Sequence, residues 1–505
     1  MESASVAAPG AVVPDKGLKK GAISSISNIV IGVASTAPGY SLAATLGLIA
    51  AVGGIGLQSP AIMIVSFIPM LCIAAAYFYM NRADPDCGTT FTWVARAIGP
   101  KSGWSAGWAI IAADVLVMPS LAQVAGVYSF DLFGWDSAAA NKWATLAVGV
   151  TWIVVMTAIC YIGVELSART QQILLTIEVF TLSLFAVVAL IKVYANNPAH
   201  SIHPTLSWFN PFDISSVHAL VGGVLLGVFI YWGWDSGVAV NEESDDPARG
   251  PGRSAVISTI LLVLIYLLVT TAAQAYGGTQ LLIDNPDDVF APLGSSVLGG
   301  TLDKLLIIAV LTSASASTQT TILPTARTSL SMARFKAMPS IFGRIHPKYL
   351  TPDVSTLAMG GASILVYAGL TIKDPNLVFD AFTALGLMIC FYYGFTGFAC
   401  TIYYRKHIFK SAKNAFFIGL MPVAGGVMLG YVFVKSVIEI RATDSGYAGP
   451  WLGVGAPFII AAATVIMGAV LLILSIPRYR EFFKRKPEIV DPAILEEAPA
   501  TGGAS

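Results

Sequence analysis

Three carboxylates stand inside stretches that are otherwise apolar: Asp114, Glu178 and Asp235. Each would cost ~2.5–3.5 kcal/mol at a helix centre facing lipid, so each is expected to face the protein interior or a water-filled cavity. None has a Lys or Arg within a turn on its own helix, which leaves a proton, a metal cation or a cationic substrate as its partner. Asp235 lies in the cluster Tyr231-Trp232-Gly233-Trp234-Asp235-Ser236-Gly237. Glycines beside two tryptophans and a carboxylate suit a helix that unwinds inside protein and frees backbone groups for a ligand. The plainer reading is a glycine-permitted helix contact with Asp235 paired to a neighbour. A second interruption is expected in Ile31-Gly32-Val33-Ala34-Ser35-Thr36-Ala37-Pro38-Gly39-Tyr40. There Pro38 removes a hydrogen bond and clashes with the preceding turn, and Ser35 and Thr36 either satisfy freed carbonyls or face a ligand. Asp114 stands shortly before Pro119, where it locks a kink or meets a ligand. The hydroxyl-rich run Thr312–Thr321 reads first as close helix packing through small residues. Its alternative is a sodium site made by Ser313 and Ser317 with carbonyls of the first span. Tyr392-Tyr393 is either packing or an outer gate.

The elements that carry these residues are apolar segments near 23–51, 60–80, 104–130, 143–164, 170–195, 217–240, 254–277, 301–330, 354–373, 378–402, 415–437 and 452–476. Each is near or above the ~20 residues needed to cross a hydrocarbon core. With 55% hydrophobic residues, 11% charged residues and a mean hydropathy of +0.73, the chain reads as an all-α polytopic membrane protein of about twelve spans. Spans 1, 6 and 8 are expected to be interrupted. Spans 1 and 6 are separated by an odd number of crossings and so run in opposite directions. Broken helices at matching places in two inverted halves point to a transporter's central site.

With the N-terminus placed in the cytoplasm, 23 of the 29 Lys and Arg fall on the inside, leaving Lys142, Lys192, Lys304, Lys373, Lys435 and Arg441 outside. Both termini are therefore expected to be cytoplasmic, in a cell-membrane protein with no signal peptide. The five cysteines lack CxxC or metal spacing and are read as reduced, packed thiols. The five histidines are scattered, with no HExxH, and no Walker loop, GxSxG or dinucleotide fingerprint occurs. Enzymatic chemistry, a cofactor, a metal centre, ATP-driven transport and nucleic-acid binding are not expected.

Four stretches together resemble the amino acid–polyamine–organocation permeases over roughly residues 20–480. They are Ile31–Ser41; Pro85 through Gly88 to Gly99-Pro100 and Gly103-Trp104; Trp234-Asp235 with Asn241-Glu242-Glu243, Pro247 and Arg253; and Arg327, Met332-Ala333-Arg334, Pro339, His346-Pro347 and Thr351-Pro352. The resemblance implies a LeuT-type fold: inverted repeats at about 23–195 and 217–402, extra helices at 415–476, a permease domain over 21–480 and cytoplasmic tails at 1–20 (disordered) and 481–505. It implies alternating access, with the substrate's carboxylate on Ala34, Ser35, Thr36 and Ala37 and its amine on Tyr231, Trp232 and Trp234, and with Gly39 and Asp235 also at the substrate site. Pro38 and the bulkier residues around it depart from the family's glycine-rich break and put carboxylate recognition in question. Glu178 falls where some proton-coupled members carry a titratable lysine, which marks it as the coupling residue, with Asp114, Ser313 and Ser317 as further ion or proton ligands. The expected function is proton-coupled amino acid transport by a monomer or homodimer in the lipid bilayer. The alternatives are a polyamine or other cationic amine permease and, behind it, a sodium symporter.

Overall fold

The computed structural model describes residues 15–487 apart from 287, 300, 301, 303 and 444. The expected tails at 1–14 and 488–505 lie outside the described residues. Among the described residues, eleven helical segments are long and apolar enough to cross a membrane. They are span 1 (Ser25–Ala51), span 2 (Ser59–Ala83), span 3 (Pro100–Asp131), span 4 (Lys142–Ile162), span 5 (Val164–Asn196), span 7 (Gly250–Asp284), span 8 (Lys304–Arg334), span 9 (Asp353–Lys373), span 10 (Asn376–Tyr403), span 11 (Ala412–Glu439) and span 12 (Ala456–Arg478). The remaining expected span, span 6, is the short apolar helix Val217–Ile230 followed by a turn and the one-turn helix Ser236–Ala239. The protein is an all-α polytopic membrane protein, with one small hairpin, Pro450–Trp451 paired antiparallel with Val454–Gly455.

Span 1 breaks where Pro38 requires it. The residue before a proline is driven out of the helical region, and Ala37 takes a left-handed conformation, φ 49°. The first half ends at Thr36 and the second restarts with Pro38 in its first turn, where a missing N–H costs nothing. Span 6 breaks at Gly233, whose φ of 119° suits only glycine and whose missing Cβ would sit 2.8 Å from the Ser35 carbonyl carbon. The two breaks therefore lie against each other.

The expected break in span 8 does not occur: Lys304–Arg334 is one helix through Pro324. The hydroxyls of Thr312, Thr318 and Thr320 bond back to carbonyls of their own helix, which keeps that run helical. An interruption that the sequence reading lacks appears in span 7, at Gly278, φ 69°.

The bundle has two ends. At one, the start of span 1 joins the end of span 6: Ala22 and Ile23 N–H both donate to the Glu243 carbonyl. The last described residues return to this same end, where Phe482 stacks on Phe91; we call it the tail face. Within residues 15–20, the end of the stretch read from sequence as a disordered tail, Lys16 and Leu18 are buried at this face and the others are exposed. Lys16 is fully buried because two carboxylates on the bundle neutralise it.

Candidate functional site

The first-turn donors of the second half of span 1 are all accounted for. Pro38 has none; Gly39 N–H donates to Glu178 Oε1 at 2.7 Å, Tyr40 N–H donates to Ser313 Oγ at 3.0 Å, and Ser41 N–H returns to the Ala37 carbonyl. Ser313 Oγ–H in turn donates to the same Glu178 oxygen at 2.8 Å. A carboxylate and a hydroxyl of this protein thus fill the anion-attracting end of that half-helix. Glu178 is fully buried, and its Oε2 has no hydrogen-bond partner. On the first half, Ala37 N–H is taken by the Ala34 carbonyl, Ser317 Oγ–H donates to the Ser35 carbonyl and Ser41 Oγ–H to the Thr36 carbonyl. Thr36 Oγ1–H caps the Gly32 carbonyl, and Ser35 and Ser236 hydroxyls meet at 2.8 Å across the two breaks. The residues assigned from sequence to a substrate carboxylate are therefore engaged within the protein.

The span-6 break is more open. Tyr266 O–H donates to the Ile230 carbonyl, but no described donor reaches the carbonyls of Tyr231 and Trp232. Asp235 accepts from Tyr393 O–H at 2.8 Å and Tyr392 O–H at 3.1 Å, and Trp232 Nε1–H donates to the Tyr392 hydroxyl. Trp234 stacks on Tyr393, with ring centroids 5.2 Å apart. Asp114 on span 3 accepts from Thr325 Oγ1–H of span 8 and lies within electrostatic reach of Asp235. Trp232, Ser35 and Asp235 retain 8%, 7% and 6% exposure at mid-bundle, so they border an internal space from which Glu178, at 0%, is sealed. Asp235 thus borders that space with Asp114 close enough to interact with it, while Glu178 and Ser313 are sealed and, with Ser317, hold spans 1, 5 and 8 together. Among the described residues no Lys, Arg or His pairs with Asp114, Glu178 or Asp235.

Both approaches to this space are closed. Away from the tail face, Phe229 meets Phe382 with ring centroids 3.8 Å apart. They border an apolar cleft of about 370 Å³ between spans 6, 10 and 11. At the tail face, Lys16 Nζ donates to Asp86 Oδ2 at 2.7 Å and to Glu242 Oε1. Asp86 also accepts from Gly88 N–H, Thr92 Oγ1–H and Ser331 Oγ–H, and Glu242 accepts from Cys87 N–H. Arg334 Nη2–H holds the Lys16 carbonyl, and Arg327 pairs with Glu243 through two hydrogen bonds, both side chains buried. Asp86, Cys87 and Glu242 bring three possible ligand atoms within 4.8 Å of one another, and the cation they hold is the Lys16 ammonium. Burial works against that ammonium, yet Asp86 and Glu242 outweigh it and hold its proton above the ordinary lysine range. Burial lifts Glu242 above its ordinary value against the pull of Lys16. Asp86 goes the other way: burial opposes its charge, but Lys16 and its donors hold it lower. Sequence reasoning missed this latch, because nothing in the spacing of Lys16, Asp86 and Glu242 announces that they meet.

A family model described as "Amino acid permease" matches residues 21–476. An uncharacterized transporter of Mycobacterium tuberculosis is 24% identical over 409 residues, covering 76% of this chain and 81% of that protein. The low-affinity putrescine importer PlaP of Escherichia coli is 21% identical over 373 residues, covering 73% and 79%. The branched-chain amino acid permease BcaP of Bacillus subtilis is 22% identical over 320 residues, covering 59% and 64%.

Proposed function

The chain belongs to the amino acid permease family, and on that premise we propose that it carries an amino-bearing small molecule across the cell membrane by alternating access, coupled to protons through Glu178. The tail face, where the described residues begin and end, is the cytoplasmic one, and the two repeats about 23–195 and 217–402 rock around the paired breaks. What carries the reading is the broken pair itself: two interrupted helices of opposite direction meet at Gly233 and Ser35, and no described donor reaches the carbonyls of Tyr231 and Trp232 beside the span-6 break. An ammonium fits there, between those carbonyls and the carboxylates of Asp114 and Asp235. The relatives' printed substrates, putrescine and branched-chain amino acids, share that ammonium.

Proton coupling is favoured over sodium by the partners of span 8. Ser313 and Ser317 hydroxyls bond directly to Glu178 and to the Ser35 carbonyl, the oxygens that would have to share a sodium ion with them. Glu178, by contrast, can exist in two states with different consequences: ionised it clamps Gly39 and Ser313, and protonated it loses the charge that the half-helix end holds. In proteoliposomes, Glu178→Gln should abolish uptake driven by a pH gradient while sparing counterflow exchange; unchanged pH-driven uptake would remove Glu178 from coupling.

A further inference from the structure

In a LeuT-type site that takes a zwitterion, the substrate's carboxylate needs free N–H groups at the start of the restarted half of span 1. Here those groups are spent. Gly39 N–H and Tyr40 N–H, the first two amides past Pro38, are held by Glu178 and Ser313, and both acceptors are completely buried. A carboxylate arriving from the central space would have to displace a carboxylate that is covalently part of the protein. That exchange gains nothing in charge and must expel a side chain already ordered.

Charge balance in the centre points the same way. Asp235 borders the space with Asp114 close enough to interact with it, Glu178 is sealed from it, and none has a basic partner among the described residues. The buried bases among the described residues, Lys16 and Arg327, are at the tail face and already paired. A zwitterion adds no net charge to such a site, and its carboxylate meets only acidic side chains. An amine without a carboxylate supplies net positive charge, and the free Tyr231 and Trp232 carbonyls accept its N–H groups. Trp232 Nε1–H donates to the Tyr392 hydroxyl, which itself donates to the Asp235 carboxylate, so two aromatic side chains stand beside the acid that would meet the ammonium.

We infer that Glu178 is a built-in replacement for the substrate's carboxylate, and that this permease is selective for primary amines lacking a carboxyl group. The inference rests on the permease reading above and narrows its substrate class.

The test uses pairs of compounds that differ only by a carboxylate: putrescine against ornithine, and isobutylamine against valine. Ligand-induced thermal stabilisation of the purified full-length protein gives Kd for each. The expected result is that wild type binds each amine at least a hundredfold more tightly than its carboxylated partner. Glu178→Ala vacates the Gly39 amide and removes the acceptor that fixes the Ser313 hydroxyl beside Tyr40 N–H, and should shrink that preference at least tenfold, chiefly by gaining affinity for ornithine or valine. Glu178→Gln keeps an oxygen on Gly39 N–H and should retain the preference, which separates occupancy of the amides from charge. If Glu178→Ala does not fold, Glu178→Met, which keeps most of the side chain's volume but offers Gly39 N–H no oxygen, carries the same expectation. Equal affinity of wild type for both members of a pair overturns the inference and leaves the permease reading standing. An undiminished preference in Glu178→Ala removes Glu178 as its cause and also overturns it. No binding of any amine or amino acid overturns both readings together.

Discussion

Removing the Lys16 ammonium should open the tail face. Lys16 and Asp86 are both fully buried, 2.7 Å apart, and Lys16 also contacts Glu242. Lys16→Met keeps most of the side chain's volume but leaves two carboxylates buried without their cation. Breaking a buried pair in this way costs ~3–5 kcal/mol. The chain can escape most of that cost by withdrawing residues 15–20 and letting water reach Asp86 and Glu242, so the penalty falls on the closed state. A bias of ~3 kcal/mol shifts the closed-to-open ratio by about a hundredfold. Cys87 is the natural reporter: it is fully buried, its N–H is held by Glu242, and its Sγ–H donates to the Arg327 carbonyl at 3.6 Å. Maleimide labelling of detergent-purified protein, read at Cys87 by peptide mass spectrometry, should accelerate ~50- to 100-fold in Lys16→Met. Adding Asp86→Asn and Glu242→Gln removes the stranded charges and should slow labelling again. A Lys16→Met rate within about threefold of wild type would falsify the latch, since ~3 kcal/mol cannot hide in so small a change.

The latch also has a pH sign that differs from the usual picture of acid breaking ion pairs. Glu242 is held above its ordinary 4.5, and Asp84, buried beside it with Arg96 pulling back only in part, is pushed up to about 6 from 3.8. The closed state therefore binds these protons more tightly than a hydrated open state, and lowering the pH through the window from above 6 toward 4.5 favours closure. Cys87 labelling, normalised to free cysteine at each pH, should fall as the pH drops, and Glu242→Gln should flatten that slope; a rise on acidification would show that Asp86, held low, dominates instead. Tyr393→Phe removes one of the two phenol donors to a buried carboxylate and should cost ~1–3 kcal/mol of stability. It should also lower amine affinity in the thermal-shift assay, and an unchanged melting temperature and affinity would mean that Asp235 is satisfied elsewhere. Gly233→Ala forces a Cβ to 2.8 Å from the Ser35 carbonyl at a φ of 119°, so monodisperse protein should be lost or uptake abolished; normal uptake would show that the breaks separate freely.

The sequence made the class of the molecule plain because bilayer physics leaves little choice: long apolar runs and a marked Lys and Arg asymmetry need no tertiary information. Pro38 announced its own break, since a proline's covalent geometry acts locally. Gly233 was legible as part of a cluster, although its positive φ becomes necessary only because Ser35 lies against it. Span 8 misled for a related reason. The hydroxyl run looks like broken or ligand-binding backbone in one dimension, and only the geometry shows three of those threonines bonding back to their own helix. The three intramembrane acids were found by their cost, but not their division of labour, because burial behind the site and exposure to it are set by neighbours from spans 1, 3, 8 and 10. Lys16 was beyond reach: a lysine in an Ala/Pro/Gly-rich segment carries no signal that its partners lie 70 and 226 residues away.

Those long-range contacts divide span 1 into two pieces with different anchors. The first half is tied to spans 6 and 7, with Asn28 Nδ2–H donating to Ser244, Ser258 Oγ–H to the Ile29 carbonyl and Ser35 meeting Ser236, and also to spans 5 and 8, with Gln172 Nε2–H donating to Ser27 and Ser317 Oγ–H to the Ser35 carbonyl. The second half is tied to spans 5, 8 and 3 through Glu178, Ser313 and the Tyr40–Ser120 hydroxyl pair. Between them is Ala37, a non-glycine residue held left-handed at a cost of roughly 1–2 kcal/mol. Such strain persists only when both sides are over-determined. On the proposed coupling, a proton on Glu178 would loosen the clasp on the second half, while the first half keeps its bonds to Ser244, Ser258 and Ser236, so the strained Ala37 is where the two halves of span 1 would part.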